Sequence, residues 1–346
     1  MAKKIEGQRF EDAAKAYLRS RSVQVKPKTL KLEVSTINQL RKALGGNHWV
    51  SSMDEEFWWD YFYGDEGRTA VLGPGAFNGD RRRCVSFVRY CIRRGWMDPK
   101  LTDFFVEDIK TRKEVKRQRM ILTPQQLMDL PEHAAYPSHR IALAIGANTA
   151  LRGSEIMGIK LGKVFLDRGE MLVQLWKTDT EVMVPITSRL AEELKRWLEL
   201  YAKTAEEQGL GPLQPGWYLV PAQKPGRLRE EGSARFTGSS PSILRLRPEH
   251  SPTAPYNMVK LAMTDMGLEY EPGEGFHTTR RAFARAFYDG LVAAGDPNAL
   301  RKTSALLHHA NTEMTEHYLG LTNETTAVAS ALRGQDFLGN LVGGRG

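Results

Sequence analysis

A block of charge one third of the way along the chain limits its folding options more than any other stretch. Residues 110–119 read Lys-Thr-Arg-Lys-Glu-Val-Lys-Arg-Gln-Arg, six positive charges against one negative. Charge at this density cannot enter a core, because every desolvated, unpaired ion is costly. The block therefore predicts an extended, solvated linker over 110–120. It divides the 346 residues into two domains, which the length allows. A helical domain is expected over 1–109, a second domain over 121–320 and a tail over 321–346.

The charge also sets the class of partner. Lysines and arginines number 49 against 41 acidic residues, a net charge of +8 that points to a polyanion. No apolar run approaches the roughly 18 residues of a membrane span, and the start, Met-Ala-Lys-Lys-Ile-Glu, has no apolar signal core. A cytoplasmic protein is expected. The two cysteines, Cys84 and Cys91, are seven apart in a predicted helix, so they stand about 10 Å from each other, too far for a disulfide. They read as small core residues, with no thiolate cage for a metal.

In the first half, Phe10, Ala13, Ala14 and Tyr17 share one face of a helix over residues 10–19. After Pro27, the spacing of Leu30, Val34, Ile37, Leu40 and Leu44 predicts a second helix, stopped by Gly45-Gly46. The aromatic cluster Phe57, Trp58, Trp59, Tyr61, Phe62 and Tyr63 is acidic and reads as core rather than as a base-stacking platform. Gly73-Pro74-Gly75 reads as a loop. From Asp80 a basic helix follows, in which Arg81, Arg82, Arg83, Arg89, Arg93 and Arg94 surround an apolar stripe of Cys84, Phe87, Val88 and Cys91. Guanidinium forks suit phosphate oxygens. The candidate DNA-binding residues are Arg81, Arg82, Arg83, Arg89 and Arg93, with Lys110, Arg112, Lys113, Lys116, Arg117 and Arg119 of the linker.

The second half opens with a capping box, Thr123-Pro124-Gln125-Gln126. An apolar helix over Ile141 to Ala150 reads as central and delivers Arg152-Gly153-Ser154-Glu155. Two strands, Glu170 to Trp176 and Glu181 to Ile186, form a hairpin around Lys177. A helix spans Leu190 to Tyr201. Residues 209–255, rich in Pro, Gly, Ser and Arg, read as a mobile loop with one short strand at Trp217 to Val220. A helix over Tyr256 to Met266 precedes His277-Thr278-Thr279-Arg280-Arg281. Near the end, His309 and Tyr318 lie nine residues apart, and Asn311 or Thr312 caps the helix that carries Thr315 and Tyr318. A last capped helix is expected over Thr322 to Arg333.

The ordered set Arg152, Glu155, Lys177, His277, Arg280, His309 and Tyr318 makes a coherent site for attack on a phosphodiester. Its transition state gathers negative charge on the non-bridging oxygens. Two arginines can hold these, each donor contributing about 3 kcal/mol. Tyr318 can attack phosphorus and split one hard step into two. Its ordinary pKa of about 10 leaves roughly one phenol in a thousand ionised at neutral pH, so it needs a base or a strongly positive surrounding. His277 and the arginines offer both. Lys177 can protonate the leaving 5′ oxygen, His309 can bond the phosphate, and Glu155 can orient His277 or an arginine. No metal or other cofactor is required, since the phosphotyrosine keeps the ester bond energy for rejoining.

This set resembles the tyrosine recombinase family of the phage-integrase type. Leu151-Arg152-Gly153-Ser154-Glu155-Ile156 is similar to its first arginine box, Lys177 to its hairpin lysine, His277-Thr278-Thr279-Arg280 to its His-x-x-Arg box, and Leu307-His308-His309 with Tyr318 to its closing box. The chain departs from the pattern at His308 (usually glycine), Thr279 (usually leucine) and Arg281 (often a second histidine). The resemblance implies a mainly α protein with a small β-hairpin sheet (α+β), built as a helical core-type DNA-binding domain and a catalytic domain. It implies a phage or mobile-element integrase, acting in the bacterial host cytoplasm if phage-encoded. A homo-tetramer would hold two double-stranded attachment sites and exchange strands through a Holliday junction. A directionality factor is a candidate partner. The tail over 321–346 would pack on a neighbouring protomer or within its own chain. The arm-site-binding domain of larger integrases is expected to be absent, and attachment sites short. The rival readings are a type IB topoisomerase or telomere resolvase, a silent DNA-binding regulator of the same fold, and a metal-dependent nuclease built on His277, His308, His309 and His317.

Overall fold

The first helix forms where the apolar spacing places it. α1 (Phe10–Ser22) buries Phe10, Ala13, Ala14 and Tyr17. The structure, a computed structural model, describes residues 7–114, 120–229, 236–271 and 273–321. Its contacts divide the chain into two compact units, Met1–Gln118 and Arg119–Gly346.

In the first unit, α2 (Pro27–Leu44) starts on Pro27 and stops at Gly45, whose φ of 68° is left-handed. Its buried face matches only part of the one the apolar spacing predicts. Glu33 and Thr36 go inside with Ile37 and Leu40, while Val34 is exposed. Polar partners account for the rotation. Arg21 grips Glu33 at 2.7 Å, and the Thr36 hydroxyl donates to Asp80 at 2.7 Å. Asp80, itself buried, also accepts from Tyr61 and Arg68. Burial pushes its carboxyl pKa up, but the Thr36 and Arg68 bonds outweigh this and hold it below the usual range. α3 (Glu55–Tyr63) is capped by Asp54 and buries Trp58, Tyr61 and Phe62 in a core with Phe77 and Phe105, whereas Phe57 and Tyr63 are half-buried and Trp59 is exposed. A single turn, α4 (Arg68–Val71), leads to α5 (Pro74–Arg93).

That helix begins six residues before the expected Asp80. Gly73-Pro74-Gly75 is its N-terminus and not a loop, because proline fits the first helical position, where its missing N–H is no loss. Cys84 and Cys91 are buried on α5 as free thiols. α6 (Leu101–Glu107) closes the unit. Within the expected linker, Arg112 is docked on the first unit while Lys113 and Glu114 are exposed. The Arg112 backbone N–H donates to the Asn78 side chain at 2.8 Å and the Asn78 amide donates back to the Arg112 carbonyl at 2.9 Å.

In the second unit, α7 (Pro124–Asp129) carries the expected capping box, with Thr123 and Gln126 bonded reciprocally. α8 (Pro137–Asn148) is the central helix, buried from Ile141 to Ala147 and packed against α7, α9 (Gly153–Ile156) and helices of the rest of the unit. A three-stranded antiparallel sheet follows: β1 (Val164–Phe165), β2 (Glu170–Leu175) and β3 (Thr180–Pro185). The β2–β3 register pairs Leu175 with Thr180, so Trp176 to Asp179 form the turn that carries Lys177. α10 (Ser188–Glu207) is capped by Thr187.

Over 209–255 the structure corrects the loop reading. β4 (Ala222–Arg229) and β5 (Phe236–Arg247) form an antiparallel hairpin. Its register shifts at Pro225/Gly226, where proline cannot donate to the ladder, and this is why the composition hides the strands. Trp217 to Val220 is not a strand. Leu219 and Val220 are buried, the Trp197 indole donates to the Leu219 carbonyl at 2.8 Å, and a lone bridge pairs Tyr218 with Lys160. Four helices complete the unit: α11 (Tyr256–Asp265), α12 (Phe276–Ala293), α13 (Ala299–Leu306) and α14 (Thr312–Leu319). The fold is thus mainly helical with small antiparallel sheets, an α+β protein. The helix expected over Thr322 to Arg333 lies outside the described residues.

Candidate active site

Two glycines bring the catalytic candidates together. A Cβ on Gly153 would stand 3.1 Å from the Phe276 side chain, and one on Gly146 would stand 2.9 Å from Thr279 Oγ1. Without side chains there, the first turn of α12 presses onto α8 and the start of α9. Gly275, at φ +58°, turns the chain into α12, a conformation that only glycine takes at little cost. Arg280 thereby arrives near Arg152, which stands at the N-cap of α9.

Glu155 organises the arginines. Its Oε2 accepts the Arg152 backbone N–H at 2.7 Å and its Oε1 accepts the Arg152 guanidinium at 2.8 Å. Arg280 Nη1 lies 4.0 Å from the same carboxylate, and both Glu155 and Arg280 are buried. The Arg280 guanidinium also donates to the carbonyls of Ala150 and Leu307, tying the loop before Arg152 to the one before His309. Two of its five donors meet carbonyls, which is how a buried guanidinium is tolerated.

α13 ends at Leu307. His308 then takes φ +48°, and the His309 N–H bonds back to the Ser304 carbonyl at 3.1 Å. Asn311 caps α14 by accepting the Met314 N–H at 3.0 Å. This geometry sets His309 Nδ1 3.0 Å from the buried Thr315 hydroxyl and turns the imidazole edge-on to the Tyr318 ring, centroids 5.5 Å apart. The half-buried Tyr318 donates its hydroxyl to the backbone carbonyl of His277 at 3.2 Å.

The electrostatics follow from this packing. Burial, then the charges of Arg280, Arg152 and Lys177, bring the His309 imidazole down to about 4. It is neutral at physiological pH. Burial raises the Tyr318 pKa while Arg280, Arg281 and Arg152 oppose the rise, so the phenol is protonated at rest. Lys177 is exposed in the β2–β3 turn, near enough for its charge to act on His309, and the His277 side chain is exposed on α12. The chain thus brings Arg152, Glu155, Arg280, His309 and Tyr318 into one cluster, with Lys177 and His277 at its edge.

The candidate DNA contacts divide by environment. Arg81 donates to the carbonyls of Ile109 and Phe105, Arg83 to Thr36 at 2.7 Å, and Arg112 to the Leu72 carbonyl at 2.8 Å. These three guanidiniums hold the first unit together. Arg82, Arg89 and Arg93 are exposed on α5, as are Lys110 and Lys113 beyond it. Lys116, Arg117 and Arg119 lie outside the described residues. Thr315 and Glu274 were not among the candidates. Thr315 is marked by its place three residues before Tyr318, one turn away on the same face. Glu274, which accepts from Thr278 and pairs with Arg281 at 3.4 Å, has no local signal. Among the described residues no group of three His, Cys, Asp or Glu side chains could hold a metal ion, and no helix is long and apolar enough to cross a membrane.

Residues 121–325, more than half of the chain, match the Phage integrase family. The chain belongs to this family, the tyrosine recombinases. Among solved structures it is similar to a lambda integrase fragment, captured as a dimer bound to a COC′ core site. The TM-score is 0.61 at 16% identity, over 92% of this chain and 97% of that one. A lambda integrase tetramer bound to a Holliday junction gives 0.58 at 17%, over 90% and 78%. A Tn1549 transposon integrase fragment in complex with a circular intermediate DNA gives 0.57 at 16%, over 92% and 98%. At these identities the likeness concerns the fold. No curated protein sequence matches the chain.

Proposed function

We propose that the protein is a site-specific DNA recombinase, an integrase of a phage or mobile element, that cuts and rejoins DNA through a 3′-phosphotyrosine on Tyr318. The observation that carries this reading is the cluster itself. A tyrosine hydroxyl, two arginines on one buried carboxylate and a neutral histidine stand together at the junction of α9, α12 and α14.

The steps follow from these groups. Arg152 and Arg280 bind the non-bridging oxygens of the scissile phosphate, and His309 gives a further N–H. The Tyr318 hydroxyl leaves the His277 carbonyl, passes its proton to the His277 imidazole and attacks phosphorus. The P–O5′ bond breaks as the new P–O bond forms, and Lys177 protonates the departing 5′ oxygen. The reverse sequence, with the 5′ hydroxyl of another strand as nucleophile, reseals the DNA. Glu155 holds both arginines, and no metal or cofactor takes part.

On this reading residues 1–109 bind core DNA and 121–320 form the catalytic domain, with 110–120 as linker and 321–346 as a tail. The DNA-bound dimer and junction-bound tetramer of lambda integrase support a tetramer on two attachment sites, with exchange through a Holliday junction. The phosphate contacts of the first unit are Arg82, Arg89, Arg93, Lys110 and Lys113. A directionality factor would bias the outcome.

The test is strand exchange between two linear DNAs that carry the sequences flanking the gene. The wild type should yield recombinant products in chelator and Tyr318→Phe none. Relaxation of supercoils without recombinants would favour a topoisomerase, and sequence-specific binding without either would favour a silent regulator.

A further inference from the structure

His308 combines a strained backbone, an exposed side chain and a cationic neighbourhood. It follows Leu307, the C-cap of α13, at the position where helices turn left-handed, and a positive φ (+48° here) is shared, among described non-glycine residues, only by Asp179 at 58°. Glycine meets this geometry freely, whereas another side chain takes it at a cost. That strain persists at a position wedged between two site residues. The carbonyl of Leu307 holds Arg280, and the ring of His309 meets Thr315 and Tyr318.

Packing does not explain the side chain, which is exposed and makes no hydrogen bond among the described residues. It stands close enough to Arg280, Glu155 and Arg152 for their charges to act on it, and its own charge acts on His309. Glu155 and Arg280 are both buried, and Arg152 is the partly exposed charge of the group. Partial burial, then Arg280, lowers the His308 pKa, leaving an imidazole with one N–H to give. An exposed donor beside two arginines, at a turn that glycine would suit better, fits a polar substrate group rather than a structural role.

We infer that His308 is a further phosphate ligand of this site, donating an N–H to a non-bridging oxygen of the phosphodiester being cut. The inference rests on the proposed function and adds a residue to it. His308 makes its contact only with DNA in place, beside the bonds from Arg152, Arg280 and His309.

The test compares wild type, His308→Gly and His308→Asn on a nicked suicide DNA with either a natural phosphate or a methylphosphonate at the scissile position. Glycine relieves the strain while removing the donor. Asparagine tolerates the left-handed turn and keeps an N–H. His308→Gly should melt no lower than wild type and bind the DNA nearly as tightly, yet cleave about ten-fold more slowly or worse. His308→Asn should regain part of the rate, and the penalty should shrink on methylphosphonate, where one non-bridging oxygen is gone. A wild-type adduct matched in rate by His308→Gly, or an equal penalty on both substrates, overturns the assignment alone. A wild type that forms no adduct on natural phosphate removes the proposed function with it.

Discussion

Arg280 shows how the residue types in this site serve folding and chemistry together. Its guanidinium bridges the carbonyls of Ala150 and Leu307, two loops that share no other common partner of this kind among the described residues. A lysine has a single nitrogen and cannot span both. Arg280→Lys is therefore expected to leave one buried carbonyl unpaired and to cost about 1–3 kcal/mol in denaturant unfolding, besides cleavage. A second prediction concerns pH. Burial holds the His139 imidazole down to about 4, and burial followed by Arg280 does the same for His309. Between that value and the ordinary 6.5, the unfolded chain binds protons that the folded one refuses. Stability should be full above pH 6.5 and fall as pH drops towards 4. His139→Gln should flatten the fall in melting temperature, and an unaltered profile would contradict it. Arg152, Glu155, Arg280, His309 and Tyr318 were legible as residues because phosphoryl chemistry demands their types. Thr315 was legible as a neighbour of Tyr318 but not as a partner of His309, and Glu274 escaped because only the packing sets it against Arg281.

At the scale of elements, legibility followed the source of each signal. α1 and α7 rest on local spacing and capping, and both appear where the sequence puts them. The buried face of α2 does so only in part, since Glu33 and Thr36 are drawn in beside Ile37 and Leu40 by Arg21 and Asp80 from other helices. The β4–β5 hairpin was hidden because Pro225 and Gly226 interrupt its pattern. α5 carries a prediction of its own. Arg82, Arg89 and Arg93 are exposed, whereas Arg81, Arg83 and Arg112 bond within the unit. Replacing the exposed three with alanine should lower the slope of log binding constant against log salt by about 2 to 3, near 0.9 for each phosphate that is no longer neutralised. Arg112→Ala should instead lower the melting temperature, because its bonds to backbone carbonyls go with the guanidinium. A salt slope unchanged in the triple variant would remove α5 from the DNA interface.

For the molecule as a whole, the two units divide the work that the chain's charge announced. The +8 excess suits a polyanion but says nothing of chemistry, and every candidate catalytic residue lies in the second unit. The division at Gln118 and Arg119 falls inside the basic block, as charge that resists burial requires. The central claim is that Tyr318 joins covalently to a DNA 3′ phosphate. It is tested most directly on nicked suicide duplexes built from the DNA flanking the gene, incubated in chelator with wild type or Tyr318→Phe. A denaturant-resistant, protease-sensitive adduct is expected in wild type only, with Tyr318 as the linked residue in the mapped peptide. Tight, salt-sensitive binding with no adduct, or an adduct that persists in Tyr318→Phe, would contradict it.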